Sequence, residues 1–178
     1  MTNKDFFIKN WQDEARVTAK SFRALPDDKS KLNYKHHPKS RSPWEIVNHI
    51  GPHGKEIYQA ATTDRVDLVN EGLFDINGAT IYKSPEVAAK EVEEYSQKLT
   101  ETLKNLDDNT WTSKIVPVYW GPNKIMELPL MAFCWMMHND VIHHRGQLST
   151  YYRPMGITQP SLWGPTAEEE EAMMAKSH

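Results

Sequence analysis

The sequence contains few of the features that mark secreted, membrane-spanning or nucleic-acid-binding proteins. Its single cysteine, Cys134, cannot form an internal disulfide, so the fold does not need an oxidising compartment. No apolar run approaches the roughly 18 residues of a membrane span, and the charged, amphipathic first 25 residues do not resemble a signal peptide. The net charge of −3 lacks the basic surplus that binds phosphate backbones. We therefore expect a soluble, cytoplasmic protein that binds neither nucleic acid nor membranes.

Helix-forming sequence is abundant, and strand signals are nearly absent. Four segments place apolar residues at the three- and four-residue spacing of an amphipathic helix. Val116 and Val118 are compatible with a short extended piece, but Pro117 between them argues against a central strand. The sequence predicts an all-α four-helix bundle that fills residues 1–166 as a single domain. An acidic tail or short helix is expected over 167–178.

Capping residues and prolines set the predicted helix boundaries. The first helix carries its apolar stripe over residues 7–25. A Ser-Pro pair begins the second helix at Ser42 and another begins the third at Ser84, and Pro52 predicts a kink in the second. The fourth helix is predicted over about 128–153. The segments left as connections are 29–41, 64–83 (with room for a short helical turn) and 107–122.

The fourth predicted helix places a carboxylate and a histidine on one face. At about 100° per residue, His144 lies roughly 40° around the helix from Asp140. Phe133 and Tyr151 fall in nearly the same direction, so both polar side chains are expected to point toward the bundle core. His138 falls on the opposite face and is not expected to share a site with them.

An aspartate on an apolar face needs a partner, because an unpaired buried carboxylate costs several kcal/mol. A metal ion bound by Asp140 and His144 at i, i+4 spacing would supply one. There are two alternatives. Asp140 forms an ion pair with a histidine in the core, or Asp140 is not buried at all. The second helix offers His49, which shares its apolar side, as a third ligand, with His53 as the competing candidate. The result would be a two-histidine, one-carboxylate site with open positions.

Two neighbours on the fourth helix have predicted roles beside this site. Gln147 is placed to hydrogen-bond a metal ligand from behind. Arg145 faces away from the ligands. We interpret it as an ordinary surface arginine or, alternatively, as one member of a buried pair at a subunit contact.

The motifs resemble those of the DinB-like, or YfiT-like, family. The resemblance rests on HHRGQL at residues 143–148, on STYYRPMG and LWGPT after it, and on WEIVNHI at residues 44–50. It implies an up-down-down-up bundle, often homodimeric, with a divalent metal (nickel, zinc or iron) on residues that match His49, Asp140 and His144. The family more often has histidine where this chain has Asp140, although thiol-dependent isomerases of related fold are among the similar proteins that carry a carboxylate there.

The resemblance implies a metal-dependent hydrolase or a low-molecular-weight-thiol transferase acting on a small molecule, with the metal activating water or the thiol sulfur. His143, beside the ligands, is the candidate for proton transfer, and a partly exposed hydrogen-bonding residue is the alternative. His53 and Gln147 would support the ligands. A non-catalytic metal-binding or stress-response bundle is the competing function, because the sequence contains no clear nucleophile–base arrangement. A metal-free scaffold with a paired polar core is a third.

Overall fold

A computed structural model describes residues 1–68 and 81–176, most of them in helices. The elements in chain order are α1 (Asn3–Arg23), α2 (Lys29–Leu32), α3 (Pro43–Ile50), α4 (His53–Thr62), β1 (Val66–Asp67), α5 (Pro85–Asn105), α6 (Asp108–Ser113), β2 (Ile115–Trp120), β3 (Asn123–Pro129), α7 (Leu130–Ser149) and α8 (Ala167–Ala175). Most of the predicted connection 64–83, residues 69–80, lies outside the described residues.

Four helical segments pack together as a bundle around one core. α5 packs against α1 and α4, while α7 packs against α1, α3 and α4. Large apolar side chains such as Phe7, Leu99 and Phe133 are buried between them. The predicted four-helix bundle is therefore confirmed, whereas its up-down-down-up order stays a prediction. Within the described ranges, no helix has the length and apolar character needed to cross a membrane.

The predicted helix starts agree with the hydrogen bonds at the N-termini. The Ser42 hydroxyl accepts a hydrogen bond from the Glu45 N–H at 3.2 Å, and the Glu45 carboxylate accepts one from the Ser42 N–H at 2.6 Å. The Ser84 hydroxyl caps α5 in the same way. Such caps satisfy backbone donors that have no partner inside the helix. The last bundle helix, α7, ends at Ser149 rather than Arg153, and a series of turns follows it.

The second bundle helix is interrupted, as the sequence predicted. α3 ends at Ile50 and α4 begins at His53, with Pro52 between them unable to donate a backbone hydrogen bond. The break lies between His49 and His53. The buried ring of Tyr82 packs against it, so close to Gly51 that a Cβ at that position would lie 2.6 Å from the ring.

Replacing Gly51 with alanine is therefore expected to destabilise the fold by about 1–3 kcal/mol, because a buried ring must shift to accommodate the new methyl group. Gly146→Ala is the matched control, since a Cβ at Gly146 would have no atom within 4 Å. Alanine in that helix interior should stabilise the protein by roughly 0.5–1 kcal/mol. Urea denaturation measures the stability of both variants. Equal midpoints for Gly51→Ala and Gly146→Ala would contradict the prediction.

A small sheet makes the strict all-α prediction wrong. β2 and β3 form an antiparallel hairpin, and β1 pairs with β2 in parallel. Pro117 lies in the central strand, contrary to prediction. It is tolerated because β1 pairs only with Val118 and Tyr119, which leaves Pro117 beyond the end of the parallel ladder. Two short helices, α2 and α6, also lie in predicted connections.

The core-facing side of α7 differs from the predicted one. Its buried residues centre roughly 110° around the helix from Asp140, so Asp140 and His144 lie at the edge of the buried face, with side chains 34% and 13% exposed. The prediction was wrong because the buried face also includes His138 and Arg145, which helical spacing placed away from the core. The buried residues are Leu130, Phe133, Cys134, His138, Val141, Arg145 and Leu148.

Two polar residues occupy the buried face of α7. His138 packs among the rings of Phe7, Trp11 and Trp135, on the opposite side from the candidate site, as predicted. Arg145 donates a hydrogen bond to Glu14 on α1 inside the same chain. The predicted surface exposure of Arg145 was therefore wrong. The alternative of a buried pair is confirmed, but the partner belongs to the same chain rather than to a second subunit.

Candidate metal site

Two helices, α3 and α7, bring the three predicted metal ligands together. His49 lies near the end of α3, while Asp140 and His144 are one turn apart on α7. One ligand atom from each of the three lies within 4.8 Å of the other two. The packing of α3 against α7 creates this group, and His53, on α4 beyond the interruption after Ile50, contacts Asp140 beside it.

The distances fit a single small cation. His49 Nε2 lies 3.1 Å from Asp140 Oδ2, and His144 Nε2 lies 3.5 Å from Asp140 Oδ1. Ligands about 2.0–2.1 Å from a tetrahedral zinc ion are roughly 3.3 Å from each other. Each histidine therefore lies close to this distance from one oxygen of Asp140, His49 from Oδ2 and His144 from Oδ1.

Gln147 sets the tautomer of His144. The Nδ1–H of His144 donates to Gln147 Oε1 at 2.7 Å, and the Gln147 amide nitrogen donates to His143 Nε2 at 3.0 Å. The His144 Nε2 lone pair is thereby left facing Asp140. Burial also lowers the pKa of His144, which favours the neutral form that binds metals. Gln147 therefore contacts a candidate ligand, and its supporting role stays a prediction.

His143 is exposed and is not one of the three clustered residues. It lines an open depression together with Asp140 and Trp135. This position leaves its proposed part in proton transfer a prediction.

His53 lies between two carboxylates. Its Nε2 is 2.8 Å from Asp140 Oδ2, and its Nδ1 is 2.8 Å from Glu56 Oε2, close enough for an ion pair but outside hydrogen-bond geometry. Burial alone would lower the pKa of His53, but Glu56 and Asp140 outweigh it and raise the pKa to about 9. Burial likewise opposes ionisation of Asp140, yet His49 and His53 hold its pKa well below the usual range. The ion pair that the sequence offered as an alternative therefore exists beside the three clustered residues.

Glu56 is a buried acid that sequence reasoning missed. It lies on the inner face of α4, 3% exposed, among apolar residues. A signal was present, since His53 and Glu56 stand three residues apart and three-residue neighbours share a helix face. An acidic residue on an apolar stripe needs a partner there as much as Asp140 does.

Replacing His53 with phenylalanine is expected to weaken metal binding about tenfold to hundredfold. The ring volume is kept, but Asp140 loses the buried donor that orients it, and second-layer partners of metal ligands typically contribute this much. Metal titration by calorimetry measures the change. His138→Phe, a buried histidine on the far face of α7, is the control and should leave the affinity unchanged. Unaltered affinity in His53→Phe, or complete loss of bound metal, would contradict the positioning role.

Two cavities of different character flank the clustered residues. One, of about 450 Å³, opens beside His144 and Gln147 and is lined by residues of the 36–41 segment. The other, of about 240 Å³, opens beside His49 and Asp140 and has mostly apolar walls, which include Leu68, Val118, Phe133 and three methionines. We call them the cationic cavity and the methionine cavity. A small molecule can therefore approach the clustered residues from either side.

These features define a class: a helical bundle with a histidine–carboxylate group at the junction of two helices, accessible from solvent. The chain belongs to the DinB family, whose family model matches residues 1–174.

The chain is similar to one relative in sequence and to solved structures in fold. The chain is 26% identical over 169 residues to the uncharacterized protein YrdA of Bacillus subtilis, covering 93% of this chain and 90% of YrdA. The crystal structure of the DinB-like protein YjoA from Bacillus subtilis aligns with a TM-score of 0.61 and 19% identity over 89% of this chain and 99% of that one. YfiT from Bacillus subtilis, described as a probable metal-dependent hydrolase with an unusual four-helix bundle topology, aligns with a TM-score of 0.64 and 16% identity over 87% and 89%. At these identities the two structures show a common fold.

Proposed function

We propose that the protein holds a divalent metal ion with His49, Asp140 and His144 and uses it to hydrolyse a small molecule. One observation carries the proposal: the three side chains are partly exposed and lie between two cavities. Structural zinc sites are usually closed by four protein ligands, whereas catalytic sites keep a position open. The description of YfiT as a probable metal-dependent hydrolase supports the same reading.

The donor set narrows the choice of metal. Imidazole nitrogens suit zinc, nickel and iron, and a two-histidine, one-carboxylate set is common to sites with open positions. We propose zinc, nickel or iron(II) as the bound ion. Such an ion would supply Lewis acidity and lower the pKa of water toward neutrality.

The remaining residues of the site hold the ligands and handle protons. His53 orients Asp140 through the 2.8 Å contact to Oδ2, and Gln147 orients His144 through Nδ1. His143, exposed beside Asp140, carries its proton on Nδ1 when neutral, because its Nε2 accepts from Gln147. It would take up a proton at Nε2 once the Gln147 amide moves away. Cys134 is not a nucleophile candidate, since it is buried and burial raises the pKa of its thiol.

Transfer of a low-molecular-weight thiol is the second candidate function, favoured by the methionine cavity. Its apolar walls suit an apolar acceptor, and the buried Cys134 means that the thiol would come from outside the chain. A thiolate and a water molecule would compete for the same open position at the metal. The two reactions are therefore tested together.

The test is a reaction screen on zinc-, nickel- and iron(II)-loaded protein, with small esters and amides for hydrolysis and apolar electrophiles plus a small thiol for transfer. We expect metal-dependent turnover that is lost in Asp140→Ala and on chelation. Circular dichroism of the chelated protein should still show a folded helical bundle with a cooperative melt. No turnover with any loaded form, or unfolding on chelation, would replace the enzyme by the non-catalytic metal-binding bundle.

A homodimer and a cytoplasmic location are proposed on the family resemblance and the composition alone. Arg145, which the sequence offered as a subunit contact, is buried within the chain, so a dimer would use another surface. Light scattering in solution tests the oligomeric state.

A further inference from the structure

The cationic cavity has a charge that the metal ligands do not explain. Lys39 and Arg41 line it with His36, Thr150 and His144. No acidic residue is among its lining residues, and in the described part of the chain neither Lys39 nor Arg41 forms an ion pair. The nearby Lys35 is different, because Glu45 neutralises it at 2.8 Å. Two uncompensated cations therefore face one small cavity.

The segment that carries these cations is fixed in place. The Tyr151 hydroxyl donates a hydrogen bond to the backbone carbonyl of Arg41. The His36 ring stacks on Tyr151 with centroids 3.9 Å apart, and its Nε2 lies 3.4 Å from the Thr150 hydroxyl. The segment is thus attached to the residues that follow α7. Its position relative to His144 is set by the fold rather than by a free loop.

The cavity also adjoins the candidate metal. His144 belongs both to its lining and to the three clustered ligands. A molecule that occupies the cavity can therefore place one end on the cations and the other against His144.

We infer that the cationic cavity binds an oxyanion group, a carboxylate or phosphate, of the small molecule on which the protein acts. The guanidinium of Arg41 presents donors in a fork that matches such groups, and the Lys39 ammonium adds a point charge. Thr150 adds a hydroxyl donor to the same cavity. The inference rests on the proposed function only in placing the reacting part of that molecule at the metal.

The test compares succinate with its neutral analogue succinamide, which has similar size and no charge. Binding is measured by calorimetry and by ¹H–¹⁵N NMR shifts of Arg41 and Thr150, on both metal-loaded and metal-free protein. Wild type should prefer succinate about tenfold in both forms, as two partly exposed charge pairs provide, and the preference should shrink with salt. The double variant Lys39→Gln/Arg41→Gln should lose the preference for succinate. Arg16→Gln/Lys104→Gln removes the same charge at exposed positions outside the cavity and should keep it.

The outcomes separate this inference from the proposed function. If the chain binds no metal, the proposed function fails, and the titration of metal-free protein still decides whether the cavity selects anions. Equal affinity for succinate and succinamide in wild type would overturn the inference. A preference for succinate that survives in Lys39→Gln/Arg41→Gln would also overturn it. If that surviving preference is confined to metal-loaded protein, the anion binds the metal rather than the two cations.

Discussion

Replacing Glu14 with leucine is expected to lower the free energy of unfolding by about 3–5 kcal/mol. Glu14 on α1 and Arg145 on α7 form an ion pair in which both side chains are at least nine-tenths buried, and Thr18 adds a hydroxyl 3.5 Å from Arg145. Leucine removes the carboxylate and leaves the guanidinium buried without a counter-charge. Chemical denaturation followed by circular dichroism measures the loss.

The double variant Glu14→Leu/Arg145→Met controls for packing. It replaces both charges by apolar groups of similar volume, so its stability should be near that of wild type or above it. The pair would then fix the register of α1 against α7 rather than add net stability. A loss below about 1 kcal/mol in Glu14→Leu alone would show that Arg145 finds solvent or another partner, and this outcome would contradict the described burial.

Replacing His144 with alanine is expected to reduce metal affinity at least about a hundredfold. Loss of one of three protein ligands should exceed the tenfold to hundredfold cost of losing a residue that only supports a ligand. The bundle itself should remain folded, because His144 lies at the edge of the buried face of α7 rather than in its centre. Calorimetric titration with zinc and nickel gives the affinities.

His143→Ala is the matched control for this experiment. It removes an imidazole one position away on the same helix, but from a residue outside the three clustered ligands. Its metal affinity should stay within a few-fold of wild type, since the His143 ring contacts His144 and Gln147 without supplying a ligand atom. Equal losses in His143→Ala and His144→Ala would show that the ligand set has been assigned incorrectly.

Local signals in the sequence predicted the helices well. The Ser-Pro caps at Ser42 and Ser84 agree with the observed helix starts, and Pro52 with the break between α3 and α4. These features depend on a few neighbouring residues. The hairpin of β2 and β3 was missed because its pairing is non-local, and a proline in a strand weighs against a strand until the neighbouring ladder is known to end before it.

The candidate site was found for partly mistaken reasons. His49, Asp140 and His144 were selected by helical spacing and by family resemblance, and the structure brings them together. The expected direction of Asp140, toward the core centre, was wrong because the buried face of α7 contains His138 and Arg145, which hydropathy assigns to the surface. Their partners, aromatic rings and Glu14, come from α1 and α7 packing that spacing alone does not reveal. Glu56 was missed although it stands three residues from His53, because His53 was considered only in relation to the metal ligands.

The measurement that tests the central claim most directly is the metal content of tag-free wild-type protein by elemental analysis, beside Asp140→Ala. We expect about one equivalent of zinc, nickel or iron per wild-type chain and almost none in the variant, because Asp140 contacts both histidines of the ligand set. Wild-type protein without metal, even after incubation with zinc, nickel and iron(II), would contradict the account. His49, His53, Asp140 and His144 would then form a paired polar network in a metal-free bundle.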